Sequence, residues 1–95
     1  MIQADQVEIT GRPYEFMKME MGNAPLLVLK GTKGFVMCGY LNIDSAEKLG
    51  DIAVRVTGVS NLQTMLESKA AGVSSKAKNL GIKEGQKVSE FIHLL

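Results

Sequence analysis

Turn signals recur at close spacing through the first forty-one residues and then give way to a different pattern. Thr10-Gly11-Arg12-Pro13, Gly22-Asn23-Ala24-Pro25 and Gly31-Thr32-Lys33-Gly34 each combine residues that favour a reversal of the chain. Between them lie short runs that alternate or are wholly apolar: Val7-Glu8-Ile9, Tyr14 to Met21, Leu26-Leu27-Val28-Leu29, and Phe35 to Leu41. Strands separated by such short turns can only pair with their neighbours, so the segment predicts an antiparallel β-meander. Beyond residue 41 the period changes. Asp44-Ser45-Ala46-Glu47 has the form of a helix capping box, with Asp44 as the cap, and a short helix would end near Gly50.

Ile52 to Val59 is β-branched and reads as a further strand, with Ile52, Val54 and Val56 on one face. Ser60 then caps a helix carrying Leu62, Met65 and Leu66 on one side. Ser74 or Ser75 starts a basic helix that ends at Gly81, and Val88 to Leu95 forms a last helix with Phe91, Ile92 and Leu95 inward. Strands first and helices afterwards predict an α+β fold. Its N-terminal antiparallel meander would continue into a mixed sheet of about five strands, with three to four short helices mainly on one face. No repeat or linker divides the chain. Residues 1–95 are expected to be one domain, with a β-rich part (1–41) and a mixed part (42–95).

The length of 95 residues leaves one modest core and no deep internal cavity. A ligand site would have to lie in a surface groove or between subunits. The net charge of +1 gives no general field toward nucleic acid or an anionic membrane. From Lys69 onward five Lys face two Glu, yet arginines and interleaved aromatics are missing. Lys76, Lys78 and Lys83 therefore read as a solvated helix face, and nucleic-acid binding is disfavoured. A single cysteine excludes an intramolecular disulfide and a multi-cysteine zinc site, and fits a reducing cytoplasm. No apolar run approaches a membrane span, and the N-terminus lacks a secretory pattern. Membrane association is not expected, no cofactor signature is present, and no pattern identifies a small-molecule ligand.

The strand after the first turn is unusual. Met17, Met19 and Met21 share one face, while Phe16, Lys18 and Glu20 share the other. Two uses of the methionines compete: packing beneath the helices, or an adaptable contact surface for a second copy of the chain. The second gains weight because so few helices cannot cover both faces of the sheet. Cys38 is placed mid-strand, on the opposite face from Met37. Such cysteines are usually small buried hydrophobes; a reactive thiol would need a base, a cation or a helix N-terminus beside it. Gly39 would let a ligand approach the strand, and Asn42, Asp44 or Arg55 would complete a cleft around Cys38. Gly58 and Ser60 join a strand to a helix start, where an ordinary cap is the simpler reading and an anion site the sharper one. His93 suits the end of the last helix, and no set of ligands supports a metal.

Gly34-Phe35-Val36-Met37-Cys38-Gly39-Tyr40-Leu41 resembles the Gly-aromatic-x-Met-Cys-Gly strand of the YunC-like family, short archaeal and bacterial chains grouped as a domain of unknown function. Val56-Thr57-Gly58-Val59 followed by Leu62 and Met65-Leu66 resembles its strand–Gly-Val–helix unit. Ala77 to Gly85 is similar to its Leu-Gly-Ile-x-x-Gly close. The chain departs at Gly85-Gln86-Lys87-Val88, where the family tends to Gly-Met-Ser/Thr. The resemblance implies an α+β domain whose N-terminal β region mediates tetramer formation, with Cys38 at the family's cysteine position. It supplies no reaction.

Overall fold

The computed structural model describes residues 2–95. A two-residue turn sets the first hairpin: Ile9 pairs with Arg12, and Thr10 and Gly11 both take positive φ, 52° and 79°. That backbone matches the natural twist of paired strands and confines the turn to two residues. Arg12 and Pro13, expected in the turn, consequently belong to the second strand. β1 spans Ile2–Ile9, β2 Arg12–Glu20, β3 Pro25–Lys30 and β4 Phe35–Met37. All four pair antiparallel with their chain neighbours.

The chain then leaves the sheet through α1 (Ile43–Leu49) and returns as β5 (Ala53–Arg55), parallel to β4. After α2 (Leu62–Glu67), a two-residue strand, β6 (Gly72–Val73), pairs antiparallel with β5. The result is an α+β fold with one mixed six-stranded sheet in chain order. β6 goes beyond the five strands expected, because two residues are too short to show a period. The chain finishes with α3 (Ser75–Asn79), α4 (Val88–Phe91) and a 3-10 turn over Ile92–Leu94.

Several boundaries differ from expectation for local reasons. The cap of α1 is Asn42, whose side chain accepts the Asp44 N–H at 2.7 Å. Asp44 is thereby moved inside the first turn, and Glu47 is released from any capping box. Its carboxylate instead accepts the Ser75 backbone N–H at 2.7 Å and the Ser75 hydroxyl, joining α1 to α3. These bonds hold the Glu47 carboxyl below its ordinary pKa. Asn61, not Ser60, caps α2 in a reciprocal box with Thr64. β4 ends at Met37 and β5 at Arg55, each earlier than predicted, although Val56 still donates its N–H to Met37 at 2.8 Å.

Strand alternation sorts the side chains onto two faces. Tyr14, Phe16, Leu27, Leu29, Val36 and Val54 are buried on one. They pack with Met65, Ala77, Val88, Phe91, Ile92 and Leu95 from the later helices. This is the main core. On the other face α1 makes a small second cluster, with Met37, Ala46 and Ala53 buried and Phe35, Leu41 and Ile43 partly so. The cover stops there. Met17, Met19 and Val28 remain half-buried on this second face, and Met21 lies beyond β2 with half its surface exposed. The three methionines do not pack beneath the helices, because the later helices lie on the Tyr14 and Phe16 side and α1 reaches only the Met37 and Ala53 end of the methionine face.

Tertiary contacts also use the main chain closely. The Leu95 oxygen accepts N–H groups from Lys33 and Gly34, while the Tyr14 hydroxyl donates to the Ile92 carbonyl at 2.9 Å. Buried Ser74 accepts the Ala53 N–H at 3.0 Å and donates its own proton to the Asp51 carbonyl at 2.8 Å. No buried side-chain polar atom lacks a partner among the described residues.

Candidate functional site

The chain reverses just after β4. Leu41 donates its N–H to the Cys38 carbonyl at 3.2 Å, closing a turn with Gly39 and Tyr40 at its tip. Asn42 then caps α1 immediately downstream, so the turn and the first turn of α1 form one wall. Arg55, at the end of β5, stands across from it through the β4–β5 pairing. Two clefts flank Gly39 and Tyr40. One, of about 250 Å³, is lined further by Pro25, Cys38, Gly58 and Val59. The other, of about 370 Å³, is lined further by Asn42, Asp44 and Arg55. Tyr40 separates them, and its hydroxyl donates to the Ala24 carbonyl at 3.1 Å.

The expected constellation is therefore split. Cys38 is not mid-strand but at the strand's exit, 3% exposed. Its Sγ accepts the Leu27 N–H at 3.3 Å, and its own N–H donates to the Leu27 carbonyl at 3.1 Å. The thiol is thus fastened to β3 and occupies the core side, with Gly58 in the neighbouring wall. Asn42, Asp44 and Arg55 do come together, on the other side of Tyr40 and away from Cys38. Gly39 borders both clefts. A side-chain carbon added there would sit 3.5 Å from Thr57 and 3.8 Å from the Arg55 guanidinium, which is ordinary contact. Ser60 lies in neither cleft; it is exposed and donates its N–H to Thr64 Oγ1 at 3.0 Å.

Among the described residues neither Arg55 nor Asp44 forms an ion pair. Among the described residues the ion pair within 4.0 Å is Lys18–Glu20, so Arg55 and Asp44 share a cleft without touching. Tyr40 was not singled out from the sequence; its place directly after Cys38-Gly39 was the available signal. His93 is exposed, and its carbonyl accepts Arg12 at 3.2 Å. No three His, Cys, Asp or Glu side chains among the described residues are grouped to hold a metal ion. Among the described residues no helix is long and apolar enough to cross a membrane.

A third concavity lies on the uncovered sheet face. It measures about 390 Å³ and is lined by Ala4, Gln6, Glu15, Met17, Val28 and Lys30. Met17 lines this groove and Met19 shares its sheet face, apart from the Gly39 clefts.

A meander feeding a mixed sheet, a Met-Cys-Gly turn and a short helical close define an α+β domain of a family known by its sequence pattern and not by a reaction. Residues 37–95 match the model of the domain of unknown function DUF1805, and the chain belongs to that YunC-like family. It is 24% identical over 96 aligned positions to the uncharacterized protein YunC of Bacillus subtilis (strain 168), covering 97% of this chain and 95% of that one. The crystal structure of a protein of unknown function, TA1206, from Thermoplasma acidophilum is similar throughout. It is 48% identical, with a TM-score of 0.97, covering 100% of this chain and 93% of that one.

Proposed function

We propose that this chain is a cytoplasmic, self-assembling binding or structural module, a homotetramer joined through its N-terminal meander. The observation that carries this reading is the face of β1–β3 that α1 does not reach. Met17, Met19 and Val28 are only half-buried there, beside an apolar groove and next to Ile2, which is 62% exposed. Methionines suit such a surface because their unbranched thioethers adapt to an opposing side chain. Glu15 and Lys30 are paired in register at the same groove without forming an ion pair. A second copy related by a two-fold axis offers the complementary charge to each, which makes the surface self-complementary. The β1 edge, eight residues long, adds a row of unpaired main-chain groups.

Size-exclusion chromatography with light scattering tests the reading. A tetrameric mass is expected at micromolar concentration, and Met19→Lys is expected to lower it while far-UV circular dichroism stays unchanged. A monomeric wild-type mass would overturn it. The reducing compartment is supported by the single buried, unpaired cysteine.

A second reading, thiol chemistry at Cys38, has one observation in its favour: the residue helps line a cleft with Gly39, Tyr40 and Gly58. The Leu27 N–H held by its sulfur weighs the other way. Titration with an aromatic disulfide reagent separates the two. Rapid labelling of the native protein supports a reactive thiol, and labelling only after unfolding supports a structural one.

A further inference from the structure

We infer that the cleft between Arg55 and Asp44 binds a small zwitterion of the α-amino acid type. Both charges line one cavity of about 370 Å³, within the range of small-molecule sites, and neither is neutralised by the other. Arg55 is half-buried, and its guanidinium lies near Gly39, where the absence of a side chain leaves it open. A planar guanidinium offers paired donors to a carboxylate. Asp44 lines the same cleft together with Asn42, and its carboxylate is an acceptor for an ammonium group.

The pairing of charges selects the ligand class. A simple anion would meet Asp44 as a like charge, and a simple cation would meet Arg55 in the same way. A molecule carrying both charges satisfies both walls. Tyr40, 51% exposed at the rim, supplies an aromatic surface for the ligand's cationic end or its side chain. This inference is independent of assembly, since every group comes from one chain.

The test is a titration of the uniformly 15N-labelled wild-type protein with L-leucine and L-glutamine, each also as its N-acetyl acid and its amide. The free amino acid is expected to shift the Gly39, Tyr40 and Asp44 amide signals at millimolar concentration. The N-acetyl acid and the amide should each bind weaker by on the order of tenfold, the effect of deleting one charge-assisted contact. D44N should erase the advantage of the free amino acid over its N-acetyl form, and R55K should weaken binding while keeping the charge. Equal binding of the N-acetyl acid, equal binding of the amide, or no shift from either free amino acid would each overturn the inference.

Discussion

In the body of the molecule the sheet lies between helices. Val36 and Val54 are covered on one side by Phe91, Met65 and Ile92, while Met37 and Ala53 are covered on the other by α1. In the meander the same sheet has one covered face. Tyr14, Phe16, Leu27 and Leu29 are buried, but Met17, Met19 and Val28 are half open. The two regions share one sheet and one core, so the difference is one of cover rather than of folding. The body's sheet is closed on both faces, whereas the meander's is closed on one, and the proposed contact surface is what that missing cover leaves open.

The contrast can be broken by substitution. Phe91→Ala should cost about 3–5 kcal/mol in urea denaturation, because it opens a cavity beneath the sheet. Met17→Ala should cost about 1 kcal/mol or less when measured under conditions where the protein is monomeric. Equal costs would mean that the meander face is closed within a single chain.

A methyl group at Gly34 would run into the Ile52 backbone, so Gly34→Ala should destabilise by about 1–3 kcal/mol. Gly39→Ala meets only ordinary contacts at the cleft and should change stability by about 0.5 kcal/mol at most. A large loss at Gly39 would show that its role is structural. Tyr14→Phe removes a buried hydroxyl that ties the meander to Ile92 in the body, and should cost about 1 kcal/mol by chemical denaturation.

The smallest effect concerns pH. Bonds from Ser75 lower the folded-state pKa of Glu47 below its ordinary value of 4.5. A depressed carboxylate contributes stability above that value and loses it as the pH falls through the folded-state pKa. Thermal unfolding of the wild type should therefore decline more than that of Glu47→Gln between neutral pH and pH values below 4.5. Matching declines would remove the α1–α3 link as a pH-sensitive contact.

Particular residues show how far sequence reading reached. Gly11, Pro25 and Gly34 marked the turns, and alternation along Tyr14 to Met21 correctly separated the methionine face from Phe16. The inward set Phe91, Ile92 and Leu95 was likewise legible, and all three are buried. Caps were read two residues late at Asp44 and one early at Ser60, since Ser, Asp and Asn are chemically interchangeable as caps. Only the geometry of the following turn chooses among Asn42, Asp44, Ser60 and Asn61. Cys38 and Arg55 were expected to share a cleft. Alternation keeps them apart: Arg55 pairs with Met37 on the α1 face, whereas Cys38 packs into the main core on the opposite face.

The sequence alone determined the α+β order, the turns and the two faces of β2, because turn chemistry and side-chain period are local properties. Tertiary structure alone decided which face the helices would cover, which of several polar residues would cap, and that the cleft of Arg55 and Asp44 would exclude Cys38. Those outcomes depend on contacts between segments distant in the chain. Local pattern makes such contacts possible, and only the packing of the whole sheet selects among them.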